Sequence, residues 1–149
     1  MMKLDAALAK VNALGFDTAP IIYFVEANPR YDSLVTAIFQ RVANGTVRGI
    51  TSVITISEVL VHPFSQGNTQ LRDAYRRLLL NSRDFSTLAI DAAIAERAAE
   101  LRARHGLRTP DALQLATALR SNCTAFLTND IRLQRVTEIQ VLVLDELEL

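Results

Sequence analysis

The sequence predicts an α/β fold: a single domain of three layers, α/β/α, with a parallel sheet of about five strands at its centre. Three observations point there. Apolar segments of strand length alternate with segments of helical period. Several strand segments are nearly all apolar, as strands covered on both faces are. The chain has 149 residues, half of them hydrophobic, with only five glycines and four prolines, so residues 1–149 can share one core and no linker divides them.

The elements follow in order. Leu4, Leu8 and Val11 share one face of a short amphipathic helix, a helical extension over residues 1–13. "ALGF" reads as a strand ending at Asp17, and "PIIYFVEA" as a helix with Pro20 in its first turn. "YDSLVTAIFQRVANG" is a helix with Leu34, Val35, Ile38 and Val42 as its stripe and Gly45 at its end. "RGITSVIT" is a β-rich strand, followed by the helix "ISEVLVH", which Pro63 is expected to stop. After the turn "SQGN", "TQLRDAYRRLLLNS" turns Leu71, Leu78 and Leu79 inward. "FSTLAI" is a strand. "DAAIAERAAELRARHG" is a long helix capped by Asp91 and closed by Gly106. "TPDALQLATALRSN" is another helix, "TAFLT" a strand, "DIRLQRV" a short helix and "IQVLVL" the last strand.

Composition narrows the function. Sixteen basic and sixteen acidic residues cancel, so the chain lacks the basic excess of a general nucleic-acid binder. Fourteen of the sixteen bases are arginine, whose planar fork suits phosphate oxygens, although coding bias gives the same count. Cys123 is alone, and His62 and His105 have no ligand spacing, which argues against a disulfide framework or a zinc cluster. No stretch reaches the roughly 20 apolar residues of a membrane span, and "MMKLDAALAK" lacks the apolar run of a signal peptide. A cytoplasmic location is the expectation.

In parallel sheets the chemistry gathers beyond the C-terminal ends of the strands. Asp17 ends the first strand, Glu58 follows the strand "GITSVIT", and Asp130 comes directly after "AFLT". Asp111 opens a helix and faces that helix's apolar side, in line with Leu115 and Ala118. Each acid also fits a structural role. Thr55 and Glu58 match a capping box, Thr109–Pro110–Asp111 match a helix start, Asp130 suits a cap, and Asp17 suits a turn. Acids drawn together in a poorly solvated place repel, and either take up protons or attract a cation. Oxygen ligands without His or Cys suit Mg²⁺ or Mn²⁺, which leaves room for phosphate oxygens and a water.

Four motifs carry a resemblance: "FDTAPIIYFVE", "TSVITISEVL", "TPDALQLATAL" and "AFLTND". In order and spacing the chain resembles the PIN-domain nucleases, and among them the VapC-type toxins of toxin–antitoxin pairs. The resemblance implies a PIN-like domain over 1–149 and metal-dependent cleavage of single-stranded RNA by a Mg²⁺ or Mn²⁺ ribonuclease. It implies that Asp17, Glu58, Asp111 and Asp130 hold the metal and position the attacking water. Thr18, Thr128, Asn129 and Ser57 would support them. It also implies a homodimer and a small cognate antitoxin protein as partner. The sequence departs from many relatives at Ala19 and Pro20, and in its N-terminal extension.

Eight arginines lie from Arg72 to Arg108, interleaved with acids that favour a solvated surface; Arg108, nearest Asp111, is the candidate RNA contact. Tyr23, Phe24, Tyr31 and Phe39 read as core or interface residues rather than base-stacking platforms. Apolar stripes on the helices over 31–45 and 69–80 permit a dimer. Two other functions compete. One is a non-catalytic PIN-like module that binds RNA or protein, with the acids as caps. The other is phosphatase-like chemistry on Asp17, although Ala19 stands where a second Asp is usual.

Overall fold

The computed structural model describes residues 1–149. Five strands form one parallel sheet: β2 (Ala13–Phe16), β3 (Arg48–Ser52), β4 (Phe85–Leu88), β5 (Ala125–Thr128) and β6 (Gln140–Val143), in the order β4-β3-β2-β5-β6. β2 is central, pairing Gly15 with Ile50 on one side and with Phe126 on the other. Period-two alternation divides its residues between two cores. Leu14 and Phe16 join Leu127 on one face, under α1 (Leu4–Leu8), α2 (Thr18–Val25), α3 (Asp32–Ala43) and α6 (Thr69–Leu80). Ala13 joins Ile50 and Phe126 on the other, under α7 (Ala92–His105) and α8 (Thr109–Arg120). The three-layer parallel architecture is the one expected. No helix is long and apolar enough to cross a membrane.

Gly15 lets α8 approach the sheet. A Cβ there would lie 2.6 Å from the Ala118 Cβ and 2.9 Å from the Phe126 ring, inside any real contact. The close approach brings the start of α8 to the C-terminal edge of β2.

Local structure departs from expectation in four places. The N-terminal helix is only α1, preceded by a two-residue strand, β1 (Met2–Lys3), that pairs in parallel with β7 (Leu147–Glu148). Strand β3 stops at Ser52, because the Ser52 hydroxyl accepts the Ile54 N–H and starts α4 (Val53–Val59) at Val53. Thr55 therefore lies buried inside that helix, and the expected Thr55–Glu58 capping box does not form. Pro63 does not end a helix: it sits in the first turn of a new one, α5 (Val61–Gln66), where its missing N–H has no partner to lose. The stripe of α3 is spent in the core, with Val35, Ile38, Phe39 and Val42 buried, and on α6 only Leu80 is left largely exposed, at 53 %. The expected apolar surface is instead on α5, where Val61 and Phe64 are exposed.

Candidate active site

Asp17 is placed by β2 and β5 together. Its backbone N–H donates to the Leu127 carbonyl at 2.8 Å, extending the sheet ladder by one residue. Its carboxylate accepts the Thr18 N–H at 2.9 Å on one oxygen and the Thr128 hydroxyl at 2.7 Å on the other. Thr128 in turn accepts the Asp130 N–H at 3.0 Å, so one hydroxyl joins the first and last acids. Burial holds the Asp17 carboxyl above the usual Asp range, the charges of Asp111 and Glu58 push it the same way, and its two hydrogen bonds offset part of the rise.

Thr18 and Glu58 meet across two helices. The Thr18 hydroxyl donates to Glu58 Oε1 at 2.6 Å. Beneath them lies Gln114, 2 % exposed and one turn beyond Asp111 on α8. Its Oε1 accepts the Ser52 hydroxyl at 2.6 Å, and its Nε2 donates to Thr55 at 2.7 Å and Thr18 at 3.2 Å. Thr51 donates to the Phe16 carbonyl at 3.0 Å, which leaves it to accept from Thr55 at 2.8 Å. The Thr55 proton then goes to Thr51, or to Thr18 at 3.2 Å, and the Thr18 proton goes to Glu58. Gln114 was absent from the expected site. Its signal was a lone amide in the apolar run "DALQLATAL", three residues after Asp111 and so on the same face.

Asp111 and Asp130 each hold an arginine. Arg108 Nε donates to Asp111 Oδ2 at 3.1 Å. Arg132 grips Asp130 with Nε at 3.0 Å and Nη2 at 2.8 Å, and its backbone N–H also donates to Asp130. These bonds hold the Asp130 carboxyl below the usual Asp range. Thr109 does not cap α8; Arg108 occupies the cap position without a side-chain bond. Arg132 carried no sequence signal, because its grip depends on the 3₁₀ turn over Ile131–Arg135.

Asp17, Thr18, Glu58, Arg108, Asp111, Gln114, Asn129 and Asp130 line one cleft of about 310 Å³ at the C-terminal edge of the sheet. The four acids come from four separate stretches of chain. Ser57 is not among the lining residues; its hydroxyl donates to the Ile54 carbonyl, and Ser52 and Thr55 lie beneath the cleft instead. Asn129 braces the rim: its Nδ2 donates to Tyr31 at 2.8 Å, its Oδ1 accepts the Asp145 N–H, and Tyr31 stacks on Tyr23 at 4.4 Å. Tyr23 also lines the cleft. The donor set is oxygen throughout, which suits a hard divalent ion. As the side chains stand, no three of the chain's His, Cys, Asp and Glu groups close on a common point.

The sequence matches the PIN domain family over residues 16–139. The chain belongs to the PIN domain family. The expected resemblance therefore holds over most of the chain. Among curated proteins none matches the sequence. Among solved structures, a chain of a toxin–antitoxin complex from Klebsiella pneumoniae is 25 % identical. The match covers 89 % of this chain and 97 % of that one, at a TM-score of 0.67. Two further likenesses, at lower identity, show the PIN fold. One is a chain of VapBC2 from Rickettsia felis bound to a DNA fragment from its promoter: 16 % identity, 88 % and 98 % covered, TM-score 0.67. The other is a chain of VapBC-1 from nontypeable Haemophilus influenzae: 19 % identity, 90 % and 99 % covered, TM-score 0.63.

Proposed function

We propose that this PIN domain is a metal-dependent endoribonuclease that cleaves single-stranded RNA, and that it is the toxin of a VapBC-type toxin–antitoxin pair. The observation that carries the proposal is the meeting of Asp17, Glu58, Asp111 and Asp130 in one cleft at the sheet's C-terminal edge. Oxygen donors and the strain on the Asp17 charge fit a divalent cation. Asp17, Asp111 and Asp130 would hold Mg²⁺ or Mn²⁺ with help from Glu58, and the ion would polarise the phosphate and acidify a water. The chain's own residues do the rest. Thr18 and Thr128 fix the Glu58 and Asp17 carboxylates, which orient the water. Arg108 contacts an RNA phosphate. In the reaction the water oxygen bonds to phosphorus, the bond to the leaving ribose oxygen breaks, and that oxygen takes up a proton.

The likeness to a toxin–antitoxin complex supports a small protein antitoxin as partner. A homodimer would bury the exposed Val61 and Phe64 of α5, and light scattering after gel filtration reads that state. One observation favours a binding module instead: Asp17 and Asp130 accept backbone N–H groups as ordinary caps do. Mn²⁺ calorimetry on the wild type and on Asp111→Asn separates the readings. The nuclease requires metal binding that the variant loses, together with loss of cleavage of single-stranded RNA while the circular dichroism spectrum is kept. Full cleavage by Asp17→Asn and Asp111→Asn would overturn it. RNA binding with no Mn²⁺ binding even when the RNA is present would establish the module.

A further inference from the structure

We propose that Arg108 and Arg132 form a two-arginine clamp for the RNA phosphates at the cleft, and that in the free protein they rest on Asp111 and Asp130, carboxylates the metal must take. The inference deepens the nuclease reading and rests on it. Its ground is a contrast among the arginines. Arg30, Arg41, Arg104 and Arg135 tie distant parts of the chain, to Asp145, Asp5, Glu138 and the Gly106 carbonyl. Arg108 and Arg132 tie nothing distant. Each pairs with an acid two or three residues away in sequence, and both acids line the cleft.

The exposures are lopsided in the way a mobile clamp requires. The Arg108 and Arg132 side chains are 70 % and 67 % exposed, while those of Asp111 and Asp130 are 13 % and 25 % exposed. Both guanidiniums face solvent, and solvent screening weakens their hold on the acids. The two bases are also near neighbours, since each senses the other's carboxylate. A planar fork matches phosphate oxygens as well as carboxylate oxygens, so each arginine can exchange one for the other.

The exchange accounts for why the acids do not converge on a point. Two of the four negative charges are already matched by guanidiniums, and Asp111 and Asp130 are turned to them. An ion that enters must displace the arginines from these oxygens. RNA phosphates then offer the freed guanidiniums new partners. Metal and RNA thereby help each other bind, and each alone binds more weakly than it would to a cleft without that competition.

The test measures two affinities of opposite sign. Mn²⁺ calorimetry is run on the wild type, Arg132→Gln and the double variant Arg108→Gln/Arg132→Gln. Binding of a labelled single-stranded oligoribonucleotide is read by fluorescence anisotropy in Ca²⁺ over a salt series. The clamp predicts Mn²⁺ binding about threefold to tenfold tighter in the variants, from loss of a competing ion pair. It predicts weaker RNA binding, with the salt slope of the double variant reduced by about 1.4 for two lost phosphate contacts. Unchanged or weaker Mn²⁺ binding by folded variants, or an unchanged RNA salt slope, would overturn the clamp. If Mn²⁺ binds the wild type and is lost in Asp111→Asn, the metal site stands even where the clamp fails. If neither wild type nor double variant binds Mn²⁺, both the metal site and the clamp fall; binding by the double variant alone supports the clamp.

Discussion

At the scale of single residues, the site depends on atoms that carry no charge. Glu58 is mounted near the protein surface, yet its orientation is set by Thr18, and Thr18 by the buried amide of Gln114. Replacing Gln114 by Leu would leave the Ser52 hydroxyl without its acceptor and would release Thr18 and Thr55 from the amide. An unmet buried hydroxyl costs about 1–3 kcal/mol, so Gln114→Leu lowers the unfolding free energy by that amount, read as a lower urea midpoint with an unchanged m-value. A variant as stable as the wild type would show that the group is not cooperative. Three of the acids were legible in the sequence because they follow strands, and Asp111 because it stands on the apolar side of its helix. The amide was not, because its importance comes from Ser52 and Thr18, 62 and 96 residues away.

At the scale of elements, two contacts set how helices meet the sheet. The first is the approach of α8 to β2 over Gly15. A methyl group there collides with Ala118, and overpacking of this kind costs about 1–3 kcal/mol. Gly15→Ala therefore melts at a lower temperature, and adding Ala118→Gly restores part of the loss. Simple additivity of the two changes would place the collision elsewhere. The second contact pins the end of α7 to the loop before β6. Glu138 accepts from His105 Nε2 and from Arg104, each at 2.7 Å. Burial alone would raise the Glu138 carboxyl, but hydrogen bonds from His105 and its own backbone N–H, with the charges beside it, hold it at about 2. A depressed acid contributes stability above its unfolded pKa of 4.5, and that stability is lost as pH falls from 4.5 towards 2. Glu138→Gln should remove this part of the acid transition in a pH series of denaturant melts, and a wild-type curve in that window would refute the assignment. None of this pin was visible in the sequence, where His105 had no partner within ligand spacing.

At the scale of the whole molecule, alternation of strand and helix gave the layers correctly, because burial on both faces leaves a plain mark on β2 and β5. Strand order left no such mark. β2 lies between β3 and β5, and only a three-dimensional sheet places Gly15 between Ile50 and Phe126. The pairing of β1 with β7 was equally hidden, since two-residue strands have no period to read.

The central place of β2 has a consequence for how such a protein is made. The ladder that seats Asp17 runs to Leu127, and the hydroxyl that holds its carboxylate belongs to Thr128. On the ribosome, the first acid is synthesised early and waits for most of the chain before its seat exists. Translation must carry past Asp130 before the cleft can close. The half-made protein carries Asp17 and Glu58 but lacks Asp111, Thr128 and Asp130, so the cleft assembles only when synthesis is nearly complete.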